Sequence, residues 1–128
     1  MNRKVAFAEE MKNRTKQFAL RVINLYRYLP KTTEAQILGI QLLRSVTSVA
    51  ANYRAVCRAR SNREFFSKLS IVVEEMDESA FWMEMLMDAN ILKEDLVHDL
   101  LKEGNEILKI VSKSRKTVNN SIIKKFNN

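Results

Sequence analysis

The sequence predicts an all-α protein that folds as an up-down-up-down antiparallel four-helix bundle. Three observations support this. Only two glycines and one proline occur in 128 residues, which leaves few positions for the tight turns that a hairpin-rich fold needs. Apolar residues recur at helical spacing in four segments. The connections between these segments are short, so consecutive helices should be antiparallel neighbours in a single domain that spans residues 1–128.

The first predicted helix covers about residues 5–29. Its apolar residues fall within a narrow arc when each residue turns about 100°; they are Phe7, Met11, Phe18, Val22, Leu25 and Leu29. Pro30 should end this helix, because proline disfavours helical backbone at Leu29 and cannot continue the hydrogen-bond ladder.

The second predicted helix covers about residues 33–59. The T-x-x-Q pattern from Thr33 to Gln36 is typical of a capping box, in which the side chains satisfy the first free N–H groups of a helix. The apolar stripe of this helix consists of Leu38, Leu42, Val46, Val49, Tyr53 and Val56.

The third predicted helix covers about residues 62–90. It begins at a second capping box, S-x-x-E, from Ser61 to Glu64. One apolar stripe suffices for the bundle core; it consists of Phe65, Phe66, Leu69, Val72, Val73, Met76, Ala80, Met83 and Met87.

The fourth predicted helix covers about residues 93–119, and the tail SIIKKFNN after it is expected to fray. The predicted stripe consists of Leu96, Leu100, Ile107, Val111 and Val118. Gly104 lies near that stripe at a cost of about 1 kcal/mol relative to alanine. A close approach between helices would explain it.

The third helix also carries apolar residues away from its core stripe, which predicts contact with a second copy of the chain. Carboxylates lie among those outer residues, and three arginines of the second helix fall within roughly 80° of one another, opposite its apolar stripe. We therefore expect arginines of one copy to pair with carboxylates of another. The predicted interface residues are Arg44, Arg54, Arg58, Ile71, Glu74, Glu75, Glu78, Trp82, Met85 and Leu86.

The formal net charge of +7 makes contact with polyanions plausible. Eight carboxylates and one lysine lie between Glu74 and Asp95, whereas the segments before and after are basic. The expected mode is salt-dependent contact with a nucleic-acid backbone; a merely solvated face is the alternative. The candidate nucleic-acid residues are Lys12, Arg14, Lys16, Arg21, Arg27, Lys31, Lys109, Lys113, Arg115 and Lys116.

The sequence predicts no catalytic residue, no cofactor site and no metal site, and therefore no enzyme. His98 has Asp95 three residues before it, but a di-iron bundle needs a matching motif on another helix, and the chain has no second histidine. Cys57 is expected to be a small core residue, and a single cysteine suits a reducing cytoplasm. The absence of an apolar signal segment or of a long apolar stretch also predicts a cytoplasmic protein that does not enter the membrane.

Residues 29–92 resemble the core of the bacterial four-helix bundle protein family. This family is related to the proteins encoded in intervening sequences of 23S ribosomal RNA genes, and it includes the accessory protein of diversity-generating retroelements. The matching residues are Leu29-Pro30, Gln41-Leu42, Arg44-Ser45, Ser48, Ala51-Asn52, Arg58, Glu64-Phe65, Leu69, Ile71, Glu78 and Phe81-Trp82. The chain departs from one common form of the pattern at Arg54-Ala55 and at Glu74-Glu75, where many members have Glu-Gly and Gly-Ser.

The resemblance implies a ring-like homo-oligomer, typically a pentamer, without catalytic activity. It also implies binding to RNA or DNA, or to an enzyme that acts on nucleic acid. Two functions follow as hypotheses. In the first, the chain is a basic homo-oligomer that binds structured RNA, such as ribosomal RNA. In the second, it is an oligomeric adaptor between proteins that does not bind nucleic acid directly.

Overall fold

The computed structural model describes residues 2–127, and four α-helices account for most of them. The helices are α1 (Arg3–Tyr26), α2 (Thr33–Val56), α3 (Asn62–Asp88) and α4 (Glu94–Asn127). Each helix packs against the next, and α4 returns to α1, so the four helices enclose one core. The predicted all-α class and four-helix bundle are confirmed.

Three helices begin at a residue whose side chain caps the first turn. Asn2 accepts a hydrogen bond from the backbone N–H of Val5, and Ser61 accepts one from that of Glu64. The cap of α2 is Thr32 and not Thr33, because Thr32 Oγ1 accepts from the N–H of Ala35. The predicted capping box at Thr33 is therefore wrong by one residue.

The first three helices end earlier than predicted, and α4 ends later. α3 stops before Asn90, whose φ of 57° is left-handed. The N–H of Asn90 donates to the carbonyl of Met87, and the N–H of Ile91 donates to that of Leu86, which is the Schellman pattern that closes a helix. α4 continues through the tail that was expected to fray, and Phe126 there lies under the guanidinium of Arg63, 4.7 Å from the ring centroid.

The core contains most of the predicted stripes, with three corrections. Phe7 is 42% exposed and Leu96 is 55% exposed, while Val97 is fully buried in place of Leu96. Leu86, predicted on the outer face of α3, is fully buried. It continues the core row through Ser79 and Met83 by steps of about one turn, which is how a helical stripe is maintained.

Both glycines lie where helices approach closely. A Cβ on Gly104 would stand 3.0 Å from Met76 Cε and 3.1 Å from Phe18 Cζ, which agrees with the close approach expected from the sequence. Gly39 is tighter still, since a Cβ there would stand 2.5 Å from Leu29 Cδ1 and 2.8 Å from Tyr26 Cε2. Among residues 2–127, no helix is both long and apolar enough to cross a membrane.

Candidate nucleic-acid interface

Arg44, one of the three arginines expected to bind a second copy, is paired within its own chain. Arg44 Nη2 donates to Glu78 Oε1 at 2.7 Å, and Nη1 lies 3.4 Å from Glu75 Oε2. The charge of Glu75, followed by the hydrogen bond to Glu78, raises the pKa of Arg44. Trp82 Nε1 also donates to Glu78 Oε1 at 3.2 Å. Arg44, Glu75 and Glu78 thus link α2 to α3 within one chain, while their predicted role in pairs between copies stays a prediction.

The other predicted interface residues differ in how exposed they are. Arg54, Arg58 and Glu74 are exposed, and among residues 2–127 none of the three makes an ion pair. Ile71 is half-buried, and Trp82 packs against the core with its ring edge on Phe81.

The outer row of α3 combines exposed apolar side chains with carboxylates. Phe81 is 48% exposed and Met85 is 36% exposed, and exposed carboxylates lie on either side of them. These carboxylates are Asp77, Glu84 and Asp88. We call these five residues the α3 ridge.

Arg14, a candidate nucleic-acid residue, is committed to an ion pair between α1 and α4. Its Nε and Nη2 donate to the two oxygens of Glu103 at 2.8 and 2.7 Å, and Nη2 also donates to Glu106 at 3.1 Å. The hydrogen bond from Arg14 is the main reason that the pKa of Glu103 is lowered, and burial opposes it. Arg14 thus links α1 to α4, and its predicted contact with phosphate stays a prediction.

Arg115 is likewise held by its own chain. Its Nε donates to Ser70 Oγ at 2.8 Å, and its guanidinium stands 4.6 Å from the centre of the Phe66 ring. The stacking and the hydrogen bond hold Arg115 between α4 and α3, and its predicted contact with nucleic acid stays a prediction. Lys12 pairs with Glu9 at 3.0 Å in an exposed contact that is easily exchanged.

Most lysines and arginines, including the three just described, are concentrated at one end of the bundle. Antiparallel packing brings together the start of α1, the end of α2, the start of α3 and the end of α4. We call residues 2–14, 45–73 and 107–127 the basic end. It contains fifteen lysines and arginines and three carboxylates, a formal side-chain charge of +12. Residues 15–44 and 74–106 contain seven cations and twelve carboxylates, a charge of −5.

The strongest contribution to the basic end comes from α4. From Ile107 to Asn127 this helix carries six cations and no carboxylate. Lys109, Lys113 and Lys116 are all exposed and follow one another by about one turn. They form one row of positive charge about 10 Å long at a rise of 1.5 Å per residue.

The sequence prediction found only part of this end. It placed Lys16, Arg21, Arg27 and Lys31 in the interface, but Lys16 and Arg21 on α1, and Arg27 and Lys31 just after it, lie in the other half of the bundle. It assigned Arg54 and Arg58 of the basic end to self-association. It omitted seven further cations of this end, all exposed except the half-buried Lys68; they are Arg3, Lys4, Arg60, Arg63, Lys68, Lys124 and Lys125. The predicted antiparallel order already implied that residues distant in sequence meet at one end of the bundle, but the charges were assigned helix by helix and not by end.

His98 and Cys57, the two residues weighed above for metal binding or catalysis, lie outside the row of Lys109, Lys113 and Lys116. His98 is exposed on the first turns of α4, and within residues 2–127 no group of histidine, cysteine and carboxylates is arranged to hold a metal ion. Cys57 is half-buried, with Sγ 3.7 Å from the carbonyl oxygen of Ala8. Burial raises the pKa of its thiol, Glu9 raises it further, and Lys12 opposes the shift.

Comparison with known proteins identifies the family. A model of the family described as 23S rRNA-intervening sequence protein matches residues 9–113. The chain belongs to this family. The resemblance read from residues 29–92 is thereby confirmed.

A solved structure from the same group has a similar fold. It is a protein of unknown function from the S23 ribosomal protein family of Bacteroides thetaiotaomicron VPI-5482. It is 30% identical to this chain with a TM-score of 0.77, and the match covers 83% of this chain and 98% of that one. No functionally curated protein matches the chain. The 23S rRNA-intervening sequence protein model ends at residue 113, so four cations of the basic end, Arg115, Lys116, Lys124 and Lys125, lie beyond it.

Proposed function

We propose that this member of the 23S rRNA-intervening sequence protein family is a non-enzymatic, homo-oligomeric bundle that binds structured RNA through its basic end. The division of charge along the bundle is the observation that carries this proposal. A formal +12 at one end against −5 at the other directs a polyanion to one surface. The family is itself named for an RNA element.

The proposed contact is with the phosphate backbone. Lysine is a flexible point charge that satisfies many phosphate geometries, and the exposed row Lys109, Lys113 and Lys116 supplies three of them. Contacts to phosphate position a nucleic acid without reading its sequence. Affinity should therefore depend strongly on salt and weakly on base sequence, and structured RNA should be bound through its shape.

No chemical step is proposed for the bundle. His98 is exposed between Asp95 and Asp99 on the first turns of α4, and burial raises the pKa of the Cys57 thiol. These groups suit surface and packing roles, so the protein acts by binding.

The proposed assembly would multiply the RNA surface. The exposed apolar pair Phe81 and Met85 on the α3 ridge supplies an apolar contact for a second copy. In a pentamer the basic ends would act together and raise avidity without any new contact. The same ridge also supports the second candidate, a protein adaptor, in which a different protein covers Phe81 and Met85.

RNA binding is tested by fluorescence anisotropy with a labelled RNA hairpin at 50 and 200 mM salt. We expect the affinity to fall by at least tenfold over this range, because each released counterion steepens the salt dependence. Replacing Lys109, Lys113 and Lys116 together by alanine should lower the affinity about tenfold and flatten the salt dependence.

The matched control replaces Lys16, Arg21 and Arg27 by alanine, which removes the same charge from exposed positions of the other half. We expect this variant to bind within about threefold of the parent, a difference of less than 1 kcal/mol. Equal losses in the two variants would show that net charge alone governs binding. A parent protein that does not bind the hairpin at 50 mM salt would refute the proposal and favour the adaptor.

A further inference from the structure

Two adjoining cavities form one open groove along the second half of α4. The larger, about 720 Å³, lies between α4, the start of α1, the end of α2 and the start of α3. The second, about 610 Å³, continues beside it towards the end of α4, and Asn62 lines both. We call the two together the α4 groove. From Ile110 to Phe126 it follows α4 for about 24 Å, or sixteen residues of helix.

The groove exists because α4 extends beyond the start of α1, the helix beside it. Arg14 of α1 pairs with Glu103 of α4. Because the two helices are antiparallel, the start of α1 at Arg3 comes opposite roughly Ser114. α4 continues to Asn127, so roughly its last thirteen residues have no α1 residue across from them.

The floor of the groove is apolar and has the spacing of a helix-packing surface. The buried residues Ile107 and Val111 are followed by the half-buried Val118 and Ile122, which lie about two and three turns beyond Val111. Within residues 2–127, the row that packs in the core thus continues past the start of α1, with only the first residues of α3 beside it. Its members are separated by steps of four, seven and four residues, so they share one face of α4 and offer the kind of apolar row that receives an amphipathic helix.

The rim of the groove is positive. Lys4 and Lys113 line the larger cavity, and Arg63 and Lys125 line the smaller one, while no carboxylate lines either cavity. An occupant with carboxylates on both sides of an apolar row would therefore meet four cations and no like charge.

We propose that the α4 groove binds an acidic amphipathic helix of a partner protein. The helix would lay an apolar row on Val118 and Ile122 and place its carboxylates towards Lys113 and Lys125. Its length would be about four turns, which is what the 24 Å of floor accommodates. RNA does not match this surface as a whole, because phosphates can meet the rim but leave the apolar floor uncovered. The proposal goes beyond RNA binding and does not depend on it.

The test is a selection from a displayed library of helical peptides against the full chain. We expect the recovered peptides to carry carboxylates flanking an apolar i, i+3/i+4, i+7 row. Binding of the best peptide should weaken at least tenfold in the floor variant Val118→Glu, and at least tenfold in the double rim variant Lys113→Glu with Lys125→Glu. The two rim positions are exposed, so this variant should keep the fold, as circular dichroism would verify.

The control variant exchanges Lys93 and Lys102 for glutamate, which changes the net charge equally at exposed positions outside the groove. It should bind the peptide within twofold of the parent. Recovered peptides that lack the acidic amphipathic pattern, or that bind the floor and rim variants as well as the parent, would overturn the proposal. A fall in the mass of the assembly on Val118→Glu would also overturn it, because a second copy would then occupy the groove.

The selection also keeps this proposal separate from the proposed RNA function. A neutral floor variant, Val118→Asn, should also weaken peptide binding but leave the affinity for the RNA hairpin within twofold, since it changes no charge of the basic end. A parent that binds the RNA hairpin but yields no acidic amphipathic peptide would refute only the groove proposal, whereas a parent that binds such peptides and not RNA would refute only the function proposed above.

Discussion

At the residue scale, the close contacts of the core are set by small side chains between larger ones. Gly39 stands against Leu29 and Tyr26, and Gly104 stands against Phe18 and Met76. Ser45 and Ser79 pack together inside the α2–α3 contact, with their hydroxyls 2.9 Å apart. The sequence pointed to the close approach at Gly104 because this residue lies near an apolar stripe. Nothing comparable marked Gly39, whose neighbours come from the end of α1.

Gly39→Ala should destabilise the bundle by about 1–2 kcal/mol. Alanine favours a helix over glycine by about 1 kcal/mol, but its methyl group would overlap two side chains, and overpacking of this kind costs about 1–3 kcal/mol. Urea unfolding measures the difference. Gly104→Ala is the comparison and should be less harmful, because its nearest contact is 3.0 Å and belongs to the end of a methionine. A stabilised Gly39→Ala protein would contradict the close packing described at this position.

The ion pair between Arg14 and Glu103 should contribute stability that depends on pH. The pKa of Glu103 is lowered in the folded chain. Its contribution is therefore present above the unfolded pKa, about 4.3, and is lost as the pH falls through the folded pKa. Glu103→Gln should cost about 1 kcal/mol at pH 7 and much less at pH 2.

The measurement is urea unfolding of parent and variant at both pH values, so that the general effect of acid cancels. Glu84→Gln, at an exposed carboxylate without an ion pair among residues 2–127, should show little difference at either pH. A cost of Glu103→Gln that stays the same at pH 2 would mean that the ionised pair is not its source.

At the element scale, the existence and order of the helices could be predicted, because apolar periodicity and Pro30 are local signals. The boundaries could not be predicted as well. Thr32 and Thr33 are chemically equivalent as caps, and only the hydrogen bond to Ala35 distinguishes them. The length of α4 depends on Arg63 of α3 covering Phe126, which is a contact between residues far apart in sequence. Leu96 and Val97 are adjacent, and packing against the other helices selects Val97.

The end of α3 should be sensitive to the residue at position 90. Asn90 has a φ of 57°, and a left-handed backbone costs most residues about 1–2 kcal/mol, whereas glycine adopts it freely. Asn90→Ala should therefore destabilise the chain by about 1 kcal/mol, and Asn90→Gly should be neutral or slightly stabilising. Thermal unfolding by circular dichroism would compare the two. Equal effects would show that α3 does not end in the left-handed turn.

At the scale of the whole molecule, the charges separate into a basic end and an acidic remainder only after the chain has folded. The sequence showed an acidic block between Glu74 and Asp95 with basic segments around it. It did not show that Arg60, Arg63, Lys124 and Lys125 would share an end with the lysines of α4. It also did not show that Arg14, Arg44 and Arg115 would be used within the chain. Such contacts depend on the distances between side chains on different helices, and the spacing of residues along one helix does not give those distances.

Self-association should depend on the α3 ridge and not on the fold of the monomer. Phe81→Glu with Met85→Glu places two charges on exposed positions and should lower the mass measured by light scattering towards the 14.9 kDa of one chain. The thermal midpoint of the monomer should change little, because both side chains lie outside the core. Ile37→Glu with Ile40→Glu, at exposed positions of α2, is the matched control and should leave the mass unchanged. An unaltered mass in the ridge variant would exclude this surface as the contact between copies.

RNA binding at the basic end is tested by photo-crosslinking an RNA hairpin to the protein, followed by mass spectrometry of the linked peptides. We expect cross-links in residues 107–127 and 45–73, with few in residues 15–44. Cross-links concentrated between Lys16 and Lys31, or spread evenly over both halves, would contradict the claim that the charge division directs the RNA.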